Sequence, residues 1–118
     1  MTHDRSRSDR PELPAIGEFE QLVLLAVLQV RDDAYGVTVH EELERHTTRP
    51  VARGAVYMTL DRLEKKGLLT SSLSEPTAER GGRAKRCYAL TKTAILALRD
   101  SRRTLQSLWN GLEPVLGK

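Results

Sequence analysis

A single cysteine, Cys87, in 118 residues rules out a disulfide within the chain, so this is not a small secreted domain held by cross-links. Aromatic residues are scarce, with one Phe and one Trp, so a core must come from Leu, Val, Ala and Ile. The apolar stretch within 22–30 falls far short of the roughly 20 residues that span a membrane. Met1 to Pro14 contain no apolar stretch, so no signal peptide is expected, and the cytoplasm is the expected compartment. Three histidines are present, and His40 and His46 stand six apart. Together with His3 and Cys87 they show no metal-ligand spacing. A glycine-rich phosphate loop is missing too. No catalytic residues, metal or cofactor are therefore expected, and an enzyme is not the expected class.

What is present is charge and helical periodicity. Charged residues make up 30% of the chain, with a net charge of +3. That balance permits an anionic partner, and the placement of the cations decides whether there is one. A chain of this length is one domain. Alone it buries only about two-thirds of the surface its unfolded form exposes, so a second subunit would help.

Residues 1–14 mix Arg5, Arg7 and Arg10 with Asp4, Asp9, Ser and Pro, a composition that builds no core. They read as a solvated tail or as a basic arm reaching phosphates. The first helix is expected over 18–30, with Glu18 and Glu20 in the first turn, where the helix dipole favours negative charge. Leu22 to Leu28 are apolar almost all round, which calls for cover on more than one side. After Arg31-Asp32-Asp33, a second helix is expected from Tyr35 to His46. Val39 and Leu43 face inward there, and Glu41, Glu42, Glu44 and Arg45 face water. Pro50 holds Arg49 extended, so the helix stops before it. A third helix is expected over 53–66, ended by Gly67. Val56, Leu60 and Leu63 make its inner stripe, and Arg53, Tyr57, Arg62, Lys65 and Lys66 fall largely elsewhere. Two short helices joined by a tight turn, the second basic on its open face, have the plan of a helix-turn-helix.

Two strands are expected next, over 68–74 and 85–90, flanking a tip that contains Pro76 and Gly81-Gly82. Such a hairpin after a helix-turn-helix is a wing. Its cations are Arg80, Arg83, Lys85 and Arg86, which meet a phosphate backbone or merely solvate the hairpin. Alternation places Lys85, Cys87 and Ala89 on one face and Arg86, Tyr88 and Leu90 on the other. Cys87 reads as a small strand residue, with no resolving partner nearby for redox sensing.

The last helix is expected over 92–112, capped by Thr91, with Glu113-Pro114 marking its end. Ile95, Leu98, Arg102, Leu105, Trp109, Leu112 and Leu116 are spaced 3, 4, 3, 4, 3, 4. This is a heptad seam broken only at Arg102. It folds back on its own subunit or pairs with another. Burying Trp109 would remove about 150–250 Å², roughly 4–6 kcal/mol as an upper figure.

The expected fold is therefore α+β, mostly α. A tail over 1–14 precedes a winged helix-turn-helix over 15–90 with its N-terminal helix, and a C-terminal dimerisation helix occupies 91–118. The third helix would enter the major groove. Arg53 is best placed to read guanine O6 and N7, with Gly54 beside it. Tyr57 hydrogen-bonds a phosphate or packs on the second helix. Arg62, Lys65 and Lys66 reach phosphates or solvate the surface, the two lysines also complementing the helix dipole. The partner is double-stranded DNA, bound at a palindromic site. The alternative is a winged helix used only for protein contacts, which would carry an acidic or apolar third-helix face.

Gly17-Glu18-Phe19-Glu20, Asp33-Ala34-Tyr35-Gly36, Gly54-Ala55-Val56-Tyr57, Leu60-Asp61-Arg62-Leu63-Glu64-Lys65-Lys66-Gly67-Leu68, Gly81-Gly82-Arg83 and Tyr88-Ala89-Leu90-Thr91 occur in this order. The ordered set resembles the PadR family of bacterial transcriptional regulators over residues 16–112. The resemblance implies a winged-helix repressor and homodimer without a large separate effector domain. The last helix, aided by the first, would form the interface: Phe19, Leu22, Ile95, Leu98, Arg102, Leu105, Trp109 and Leu112. It also implies release by a small, often aromatic ligand near that interface. Trp109 would stack on such a ligand or pack in the core, with Phe19 and Leu22 in the same cavity. Two departures stand out. Relatives often carry Ser where this chain has Ala52, which removes a helix cap and a candidate phosphate contact. They often have Gly where it has Ala94, a better helix former.

Overall fold

The computed structural model describes residues 12–75 and 84–117. Helix α1 spans Glu18–Val30, followed by a 3-10 turn over Arg31–Asp33. Helices α2 (Gly36–His46) and α3 (Arg53–Lys65) precede strands β1 (Leu69–Leu73) and β2 (Arg86–Leu90). Helix α4 covers Lys92–Trp109 and a short α5 covers Glu113–Leu116. This is the mostly helical winged helix-turn-helix that the sequence pattern implies. Among the described residues, no helix is long and apolar enough to cross a membrane.

One aliphatic core joins the elements. Val23, Leu24 and Val27 of α1 meet Val39 and Leu43 of α2 and Val56, Leu60 and Leu63 of α3, all buried. Leu68 and Leu69 enter from the root of the wing, and Ala94 and Leu98 from α4. Each fully buried Leu or Val contributes about 1.5–3 kcal/mol.

Local chemistry explains the ends of the elements. Gly67 has φ +79°, which ends α3 and lets the Leu68 N–H return to the Leu63 carbonyl at 2.9 Å. The Thr91 hydroxyl caps α4 by accepting from the Ala94 N–H at 3.2 Å. Ala52 precedes α3 and makes no side-chain cap. The strands are antiparallel, Leu69 opposite Leu90 and Leu73 opposite Arg86. The outer edge of β2 is partly covered, since the Tyr88 N–H donates to the Ala34 carbonyl at 2.8 Å.

Three expectations change. The last helix ends at Trp109, not at residue 112, because Gly111 turns the chain at φ +81°. Leu112 then precedes α5, and Pro114 sits in the first turn of that helix, where its missing N–H is harmless. Glu42, expected to face water, is buried, with its carboxylate held by Arg45 and by His46 Nε2 at 2.9 Å. Pairing with Arg45 more than offsets burial and, with His46, keeps the Glu42 carboxyl below its ordinary pKa.

Candidate nucleic-acid interface

The turn between α2 and α3 is fastened by side chains. His40 Nε2–H donates to the Val51 carbonyl at 2.6 Å; a carbonyl only accepts, so this nitrogen carries the proton. Glu44 accepts the Val51 N–H at 3.1 Å, and the Thr47 hydroxyl returns to the Leu43 carbonyl at 3.0 Å. These bonds set the angle at which α3 leaves the domain. In the sequence, His40 is weighed only as a metal ligand and Glu44 only as a water-facing residue; their one signal for this role is their spacing of one helical turn.

Helix α3 buries Val56, Thr59, Leu60 and Leu63 and leaves Arg53, Gly54, Tyr57, Met58, Asp61, Arg62 and Lys65 exposed. Among the described residues, Arg53 has no hydrogen-bond or ion-pair partner. The Tyr57 ring packs on the backbone of Gly36 at the start of α2 while 47% of the residue stays exposed. The packing alternative for Tyr57 is thus realised, with part of the ring still open to a partner.

Arg62 and Lys66 are engaged inside the domain. Arg62 Nε donates to Glu20 Oε2 at 2.9 Å, and Lys66 Nζ to Glu20 Oε1 at 2.9 Å and to the Ala15 carbonyl at 2.6 Å. Glu20 is buried, and burial disfavours its charge. The Gly17 N–H, Lys66 and Arg62 outweigh that penalty and bring its pKa from 4.5 to about 2. The start of α1 is thereby locked to the end of α3. Sequence reasoning assigned Glu20 only to the helix dipole, since its partners lie more than forty residues away. Lys65, paired with Asp61 at 3.1 Å, keeps its head in solvent.

The wing cations separate. Arg80 and Arg83 lie outside the described residues. Lys85 is not a free wing cation: its Nζ sits 2.8 Å from Asp33 Oδ1 and 3.9 Å from the centre of the Tyr35 ring. The Asp33-Ala34-Tyr35-Gly36 stretch therefore holds the hairpin through Lys85 and Ala34 and seats Tyr57 on Gly36. Arg86, on the opposite face of β2, is exposed and donates to the Ser71 hydroxyl at 2.9 Å.

Helices α1 and α4 form an apolar groove of about 390 Å³ lined by Leu25, Leu28, Leu98, Arg102, Leu105 and Trp109, among others. The first half of α4 folds back: Ala94, Ala97 and Leu98 are buried and Ile95 partly so. Its second half is exposed, Trp109 to 56%. Leu25 and Leu28 are likewise open. Phe19 and Leu22 do not share this groove with Trp109. They pack partly against the core and line a separate cavity of about 620 Å³ facing the turn at Thr47–Ala52. Leu25 and Leu28 line the groove with α4, whereas Phe19 and Leu22 do not.

Comparison with known proteins agrees with this architecture. The model of the PadR-like family of transcriptional regulators matches residues 24–99. Transcriptional regulator Rv3488 of Mycobacterium tuberculosis is 39% identical over 77 residues, covering 65% of this chain and 67% of that protein. A PadR family transcriptional regulator from Eggerthella lenta superposes with a TM-score of 0.64 at 26% identity, covering 86% of this chain and 88% of that one. A PadR family transcription regulator from Clostridium difficile shares the fold, with a TM-score of 0.67 at 23% identity over 84% of this chain and 99% of that one.

Proposed function

The chain belongs to the PadR-like family of transcriptional regulators, is a DNA-binding regulator and not an enzyme, and on that premise we propose that it is a homodimeric repressor of a palindromic operator. The observation that carries this reading is a division of labour between two faces. Helix α3 presents Arg53, unpaired among the described residues, with Gly54 and half-exposed Tyr57, while Leu25, Leu28, Leu105 and Trp109 are exposed along the α1–α4 groove. The first face suits DNA, with Arg53 on a guanine edge and Tyr57 on a phosphate. Arg86, Lys65 and the wing-tip residues Arg80 and Arg83 supply phosphate contacts. Arg62, Lys66 and Lys85 act chiefly by positioning, given their partners Glu20 and Asp33.

The second face suits a copy of itself. A two-fold dimer through α1 and α4 would cover Ile95, Leu98, Arg102, Leu105, Trp109 and Leu112 of each subunit and set the recognition helices about 34–36 Å apart, one DNA turn. A small aromatic ligand stacking on Trp109 in that groove would release DNA by favouring another dimer geometry. Phe19 and Leu22 are outside this ligand site.

The test is a DNA-binding titration against the intergenic region upstream of the protein's own gene, at two salt concentrations, for the native chain and Arg53→Ala. Tight, salt-sensitive binding that the substitution abolishes or makes unspecific supports the reading. Binding no tighter than to random DNA, unaffected by the substitution, overturns it and favours a module for protein contacts.

A further inference from the structure

The inner stripe of α3, Val56, Thr59, Leu60 and Leu63, defines where the outward centre of the helix lies. At about 100° per residue, that centre runs through Gly54, Met58, Asp61 and Lys65. Arg53 and Tyr57 stand on its flank. The middle of this stripe is not basic. Asp61 and Lys65 pair with each other at 3.1 Å, and Met58, one turn after Gly54, is 68% exposed.

Two features of this stripe have no explanation among the described residues. A large apolar side chain points into solvent from a helix whose core positions are already filled. Gly54 is helical with no positive φ, and a Cβ added there would meet nothing within 4 Å. Glycine weakens a helix relative to alanine, and no internal contact requires it here. A smooth backbone beside an exposed, unbranched thioether suits a close apolar approach from outside. In the major groove, the one apolar mark on a base edge is the thymine C5-methyl, and methionine adapts readily to such a contact.

We infer that Met58 is a specificity-determining residue that reads a thymine C5-methyl in each half-site, and that Gly54 lacks a side chain so that α3 can lie close enough for the contact. This rests on the reading of the protein as a sequence-specific DNA-binding dimer.

The experiment uses the full chain and an operator selected from random duplexes, with each thymine replaced singly by uracil, which removes only the methyl group. At one symmetry-related pair of positions the native protein is expected to lose about fourfold in affinity per methyl. Met58→Ala is expected to bind the thymine and uracil duplexes equally and to keep the native salt dependence. Gly54→Ala is expected to raise the melting temperature yet weaken operator binding roughly tenfold, opposite signs that a purely structural role would not give. Specific binding without a uracil effect, or with an effect that persists in Met58→Ala, overturns the inference and leaves the repressor reading intact. Failure of the selection to enrich any sequence overturns both.

Discussion

The Tyr57 ring occupies the space that a side chain on Gly36 would fill: a Cβ there would lie 1.7 Å from Cε1 of the ring. The glycine is thus required by the second turn of the recognition helix, not by its own backbone angles. Gly36→Ala is expected to destabilise the protein by about 1–3 kcal/mol through overpacking and to weaken DNA binding by displacing Tyr57. Urea denaturation checks the first part. Adding Tyr57→Ala should recover most of the loss, and a neutral Gly36→Ala would mean that the ring sits elsewhere.

Glu20 makes the stability depend on pH. Its folded pKa of about 2 lies below its ordinary 4.5, so its contribution is fully present above about pH 4.5 and is lost as pH falls towards 2. Linkage puts that contribution on the order of 3 kcal/mol. Glu20→Gln is expected to lower stability by this much at pH 7 and to converge with the native protein near pH 2. Denaturant midpoints across that range measure it, and a constant offset at every pH would assign the effect to packing.

Lys85 and Arg86 are neighbours with different expected roles. Lys85→Ala removes the Asp33 ion pair and the contact with Tyr35, so about 1 kcal/mol of stability should go with the salt slope of DNA binding unchanged. Arg86→Ala should leave stability within about 0.5 kcal/mol and reduce that slope by about 1.8, one phosphate contact being lost from each subunit of the dimer. Thermal melts and binding isotherms at several salt concentrations separate the two.

The open α1–α4 face yields a prediction about assembly. Leu28→Glu and Leu105→Glu each place a carboxylate in the groove lining. Either is expected to raise the dimer dissociation constant roughly 100-fold, because a buried unpaired charge costs several kcal/mol. Sedimentation equilibrium reads this directly. Native-like dimers in both variants would put the interface elsewhere.

The α3 core stripe, the stop at Gly67 and the Thr91 cap were legible in the chain, because helical periodicity and end-capping act over a few residues. So was the helix-turn-helix with its wing. The state of each cation was not. Arg53, Arg62, Lys66 and Lys85 look alike in a sequence, yet of these four only the Arg53 side chain finds no partner among the described residues. The charge pattern of α3 alone suggested a basic outer face. Pairing moved Arg62 and Lys66 to Glu20 and left Met58 at the outward centre. The apolar wrap of α1 announced that it needed cover, but not that Phe19 and Leu22 line a different cavity from Trp109.

The three helices of the core, their order and the inner stripe of α3 were determined by the sequence alone, since helical periodicity and capping rest on residues a few positions apart. Which charges are free, which glycine makes room for which ring and which apolar residues share a groove were decided only by the tertiary structure. Those relationships join residues as distant as Glu20 and Lys66, and their geometry exists only once the core has brought the helices together.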